Sequence, residues 1–306
     1  MEPRPEALGT VRVMDRGPGD AANDIDAAVQ TWLASLSGLI AELTERWELE
    51  LEDPLPSGSL GYVVGATRAG SRPVVLELTY PDGWFPERVV AFLAWDGDGA
   101  VELIDHDPRG AMLLERAVPG TPLADEPEER ALSLARDVAR RLWIPAPEGI
   151  TAATDEAGRW VASFRDRNEA LGRPLPDGLA DDATASMREL EASPDEPVLL
   201  HGDLRLGNVV AAEREPWLAV SPHPLVGDRA FDVGALLLDL PDPVDGPTLH
   251  RRFGLLAELF AIDRERFRAW SITVALDAAL ASWEGGEVAD ARRQLAIAEG
   301  VREGRA

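Results

Sequence analysis

Asp203 and Asn208 stand five residues apart in the string HGDLRLGNVV, with His201 two residues ahead of the aspartate and glycines at 202 and 207. A carboxylate can take up a proton and a carboxamide oxygen can bind a cation, so the string holds groups suited to moving a proton and neutralising charge. Asp and Asn also favour turns. A turn between the apolar runs VLL and VV accounts for either residue alone, but it does not require the whole string. Downstream, WLAVSPHP carries Ser221 and His223 and no carboxylate, and GDRAFD then supplies Asp228 and Asp232.

The elements around these residues follow from apolar spacing. Residues 1–22, rich in Pro, Gly and charge, are expected to form a loose arm, with VRV at 11–13 able to pin part of it. Asp24 or Asp26 is the expected cap of a first helix running through Val29, Leu33, Leu36, Ile40 and Leu43 and ending before Pro54. The runs at 59–67 and 72–79 predict two strands joined by a turn near Gly70. A short helix is expected after Pro86, then strands at 99–107 and 110–116 with a turn near Pro108 and Arg109. This makes a small antiparallel sheet with a helix packed on it. Pro119-Gly120 breaks that pattern. Helices are then expected at 126–143, about 156–171 and 178–192, with short strands at 197–201, 208–213 and 217–221 and helical spacing from Phe231 to about 301. The expected organisation is a sheet lobe over 23–116 and a mainly helical lobe over 117–306 that carries Asp203.

Composition bounds what such a chain does. At 306 residues, 45% hydrophobic and 28% charged, it is long enough for two packed lobes, and the 24 prolines do not make it a disordered chain. The net charge of −25 argues against nucleic acid or an anionic membrane as partner and favours a cationic small molecule, although acidity also serves solubility. Without cysteine there is no disulfide, thiolate metal site or cysteine nucleophile, and the four scattered histidines do not suggest a metal cluster. No uncharged apolar stretch approaches the roughly 18–20 residues that cross a bilayer, and MEPRPEALGT has no apolar leader core, so cytoplasm is the expected location. All 30 basic residues are arginine. The nine tryptophans are expected mostly in the core.

The element order, together with VLLHGDLRLGNVV and GDRAFDVGALLLDL, resembles the aminoglycoside phosphotransferase family, in particular its streptomycin and hydroxyurea resistance kinases. The resemblance extends over roughly 58–245 and implies an α+β, protein-kinase-like two-lobe fold with a small antiparallel sheet lobe and a larger, mainly helical lobe. It implies ATP and magnesium as cofactors and a small-molecule alcohol as acceptor. Asp203 is then the general base that accepts the proton of the attacking hydroxyl, and Asn208 a ligand of the metal that bridges the phosphates. His201, Asp228 and Asp232 take supporting positions, holding the loop or capping the following helix. Gly58, Ser59 and Gly61 fall where the family has its phosphate-covering turn.

Three positions depart from the family. VVLEL places Glu77 where the family carries the lysine that holds the ATP phosphates, and Glu87 is carried over as the helix partner of that position. Two carboxylates are then expected to face each other, unless one is protonated, binds a cation or pairs with an arginine such as Arg68 or Arg72. Ser221 replaces the metal-binding aspartate, and His223 replaces a lysine. With no lysine in the chain, an arginine alone is available to hold phosphate. These departures favour a family member with impaired or absent kinase activity that keeps a small-molecule site. The alternatives are an active ATP-dependent O-phosphotransferase with substitute ligands, conferring resistance to aminoglycoside or hydroxyurea-type antibiotics, and a scaffold without a ligand.

Overall fold

The computed structural model describes residues 21–55, 61–68, 72–81, 83–242 and 244–304, with side chains of the first helix from residue 28 onward. Gly58 and Ser59, the turn near Gly70 and the arm before residue 21 lie outside the described residues. The chain divides into two compact units, one made of the described residues up to Gly97 plus Val101–Ala117, the other of Asp98–Ala100 plus the described residues from Val118 on.

In the first unit, α1 (Ala21–Arg46) is followed by β1 (Leu49–Pro54), β2 (Gly61–Arg68), β3 (Arg72–Thr79), α2 (Trp84–Trp95), β4 (Leu103–Asp107) and β5 (Ala111–Glu115). The strands form one antiparallel sheet in the order β1-β2-β3-β5-β4. Side chains alternate across a strand. Tyr62, Val64, Ala66, Val74, Leu76, Leu78, Ala111 and Leu113 therefore share one face and pack against Trp32, Leu36, Leu39, Ile40, Leu43 and Trp47. Glu77, opposite Val63 and Met112 in the register, belongs to the other face.

Several expected boundaries shift for local reasons. α1 spans Ala21–Arg46, so Asp24 and Asp26 fall within the helix and not ahead of it. α2 begins at Trp84 and takes Pro86 into its first turn, where a missing N–H leaves no helical bond unmade. β1 was not expected as a strand. It is an edge strand with the sequence LELEDP that buries Leu49 and exposes most of the rest, so it carries almost no apolar signal.

The second unit opens with β6 (Pro119–Pro122), where only a break was expected. It is an edge strand in the three-stranded sheet β6-β8-β9, the position where proline is tolerated. Next come α3 (Glu128–Leu142), α4 (Ala153–Ala170), α5 (Leu179–Ala192), β7 (Val198–Leu200), β8 (Val209–Ala212), β9 (Trp217–Ala219) and β10 (Leu225–Gly227). The helical tail is four helices, α6 (Ala230–Asp239), α7 (Gly246–Phe260), α8 (Arg264–Glu284) and α9 (Val288–Arg302). The side chains of Asp245 and Asp263 cap α7 and α8. β10, three residues long and absent from the expectation, pairs with β7 immediately before the Asp203 loop.

Candidate active site

β7 is wholly buried and delivers the chain to His201, which is 0% exposed. Gly202 follows at φ +76, and a Cβ there would collide with the His223 carbonyl oxygen. Only glycine fits that approach. The His223 N–H donates to the His201 carbonyl at 2.9 Å, and the Val220 N–H donates to the Asn208 carbonyl at 2.9 Å. The Asp203 loop and the 220–223 segment are thus joined through backbone.

His201 braces this joint. Its Nδ1 accepts the Asp203 N–H at 3.3 Å, which leaves the proton on Nε2 to be donated to the Val220 carbonyl at 3.0 Å. Burial pushes the imidazole below its ordinary pKa, against the pull of Asp232 and Asp203. Asp232, also fully buried, accepts from the backbone of His201 at 3.0 Å, that of Gly202 at 2.8 Å and Trp143 Nε1 at 2.9 Å. Burial pushes its carboxyl upward, while His201 and these donors pull it down. Asp228 accepts from Arg266 Nε at 2.6 Å, Ala230 N at 2.9 Å and Trp270 Nε1 at 3.2 Å, tying the start of α6 to α8.

Asp203 lies at the accessible end of this frame. Asn208, at the end of a 3₁₀ turn over Leu206–Asn208, donates from Nδ2 to the Asp203 carbonyl at 2.8 Å and to its Oδ2 at 2.9 Å. The turn is held from below by the Leu206 N–H, which donates to Asp239 at 2.8 Å. Oδ1 of Asp203 takes Arg205 Nε at 2.6 Å. Ser221 sits in the left-handed region at φ +55, one residue beyond the Val220 tie to Asn208.

The loop thus brings together His201, Asp203, Asn208, Ser221 and Asp232, with Asp228 beside them at the start of α6. A hard dication prefers anionic oxygens. Here the donors are the neutral amide oxygen of Asn208, the Ser221 hydroxyl and the Asp203 carboxylate, both of whose oxygens already accept hydrogen bonds. This set does not fit a tightly held magnesium ion. Among the described residues no three or more His, Cys, Asp or Glu side chains gather where a metal could sit.

The first unit holds the other sequence candidates. Gly61 opens β2 opposite Thr79. Glu77 pairs with Arg88 of α2, Nη1 to Oε1 at 2.7 Å, so an arginine does neutralise it, but from the helix and not from Arg68 or Arg72. Arg88 is on the stripe of α2 that buries Trp84, Phe85, Phe92 and Trp95, and Glu87, one residue earlier, is half-buried. Arg72 is committed to Glu102 at 2.7 Å. Sequence reasoning missed Arg88, although its four-residue spacing from Trp84 and Phe92 was the available signal. It also missed Arg205, two residues from Asp203, and the braces Trp143 and Asp239, which no local pattern announces.

Solved structures share this architecture. A thermostable mutant of aminoglycoside phosphotransferase APH(4)-Ia, in ternary complex with AMP-PNP and hygromycin B, superposes with a TM-score of 0.59 at 19% identity, covering 86% of this chain and 98% of that one. The fold is kinase-like, an antiparallel sheet part followed by a larger helical part. Residues 46–286 match the aminoglycoside/hydroxyurea antibiotic resistance kinase family. The chain is 36% identical over 281 residues to streptomycin 6-kinase of Streptomyces glaucescens, covering 89% of this chain and 91% of that protein. It is 38% identical over 284 residues to hydroxyurea phosphotransferase of Kitasatospora aureofaciens, covering 89% and 81%. The chain belongs to the aminoglycoside/hydroxyurea antibiotic resistance kinase family.

Proposed function

We propose that this family member binds a cationic, aminoglycoside-like small molecule in the cytoplasm and that its ordinary magnesium-dependent phosphotransfer is impaired or absent. The observation that carries this reading is the Glu77–Arg88 ion pair. At the strand position where the family resemblance implies a phosphate-holding lysine, the chain has an anion committed to a helix arginine. Ser221 supports the same reading, because a hydroxyl is a poor substitute for a carboxylate against a hard dication. Losing one preorganised electrostatic stabiliser costs about 10²–10³ in rate, and losing two that act together is not simply additive. The net charge of −25 favours a cationic ligand.

A second reading, an active ATP-dependent O-phosphotransferase with substitute ligands, is favoured by the Asp203 loop, which keeps its base candidate and its Asn208 contact. In that reading Asp203 takes the proton of the acceptor hydroxyl. Incubation of the protein with ATP, magnesium and either streptomycin or hydroxyurea, followed by mass spectrometry of the acceptor, separates the two. The proposal expects no phosphorylated product above a control lacking protein, and product at ordinary kinase rates favours the second reading.

A further inference from the structure

Among the described residues of the first unit, Glu77 and Arg88 form the most buried ion pair, with side chains 13% and 10% exposed. Glu77 is central in its sheet, since β3 lies between β2 and β5. Arg88 sits among the buried aromatic residues of α2. Ions so placed are tolerated when paired, and removing one leaves the other uncompensated. The Nε of Arg88 is buried without a hydrogen-bond partner, so the guanidinium is not engaged side-on, and the contact with Glu77 is made from its Nη1 end.

We propose that Glu77–Arg88 is a polarity-inverted tie between β3 and α2, and that it determines which ligands the first unit accepts. The anion is on the strand and the cation on the helix. The strand therefore presents an anion, not a paired and positioned cation, to a polyphosphate. The residue that must be exchanged together with Glu77 to reverse this is Arg88, not Glu87. This deepens, and rests on, the reading of impaired ATP use, while the tie itself is measurable without any nucleotide.

Charge arithmetic fixes the test. Glu77→Lys alone sets an ammonium against Arg88, and Arg88→Glu alone sets two carboxylates together. The double exchange restores an ion pair with its cation on the strand. In the full chain, thermal unfolding is followed for wild type, both single variants and the double variant, and each is titrated with ATP without magnesium. Each single change is expected to lower Tm by about 6–15 °C, and the double variant to recover to within about 4 °C of wild type. Only the double variant is expected to gain ATP affinity, by about tenfold, as one charge-assisted contact would give. A double variant whose Tm loss equals the sum of the single losses overturns the tie. One that keeps its Tm without gaining ATP affinity overturns the specificity claim, as does Glu77→Lys alone gaining as much. If the charge-reversing single variants do not fold, Glu77→Gln, Arg88→Gln and their double supply the cycle. Their losses must be less than additive, and additive losses overturn the tie. Micromolar ATP binding by wild type would defeat the impaired-use reading and leave the Tm cycle readable.

Discussion

Arg205 places its Nε 2.6 Å from Oδ1 of Asp203 while Asn208 holds the other carboxylate oxygen at 2.9 Å. The arginine side chain is 58% exposed and the aspartate 32%. Water screens such a pair, and exposed pairs contribute about 0–1 kcal/mol. Arg205→Ala is therefore expected to change stability in urea by less than about 1 kcal/mol. A larger loss would make the arginine a structural support of the loop.

Asp232 is the opposite case. It alone gathers the backbone of His201 and Gly202 and the Trp143 indole in a fully buried setting. Asp232→Ala strands three donors and is expected to cost about 3–5 kcal/mol. Urea denaturation measures the loss, and Asp232→Asn, which keeps an acceptor oxygen, should lose clearly less.

Ser221 holds φ +55, a conformation that glycine and asparagine adopt more readily than other residues and that is costly for β-branched ones. Ser221→Asn or Ser221→Asp is expected to leave Tm unchanged or slightly raised. Ser221→Val should destabilise by about 1–3 kcal/mol. Calorimetry on the three variants checks the order.

The Arg109 guanidinium beside Asp107 lowers that carboxyl to about 2, with help from Arg46 and against the effect of burial. Arg109 also reaches Glu42, and Arg46 donates to Asp107, so the cluster pins α1 to the β4–β5 turn. A depressed folded pKa gives stability that is complete above the unfolded value near 4 and is lost as pH falls through about 2. Between pH 4 and 2 the Tm of wild type should therefore fall more steeply than that of Asp107→Asn, as read by circular dichroism at each pH.

Legibility in the sequence followed the length scale of the interactions. The apolar stripe of α1 and the long strands β2 and β3 are periodic over eight or more residues and were readable. So was the Asp203 string, because one loop holds its groups. β1 and β10 were not, since an acidic edge strand and a three-residue strand carry almost no pattern. The partner of Glu77 was not legible: Glu87 was carried over from the resemblance and Arg68 and Arg72 were the arginines weighed, whereas Arg88 comes from α2, whose start at Trp84, two residues before Pro86, is invisible to a rule that starts helices after proline. Asp239 reaches the loop across 33 positions and Trp143 reaches Asp232 across 89, distances that only tertiary packing closes.

Isothermal titration of the wild-type chain with ATP, with and without magnesium at moderate salt, tests the impaired-use reading most directly. The Glu77–Arg88 pair and the neutral Ser221 predict weak nucleotide binding, with Kd no tighter than about a millimolar, and no gain from magnesium. Micromolar binding that requires magnesium would contradict it.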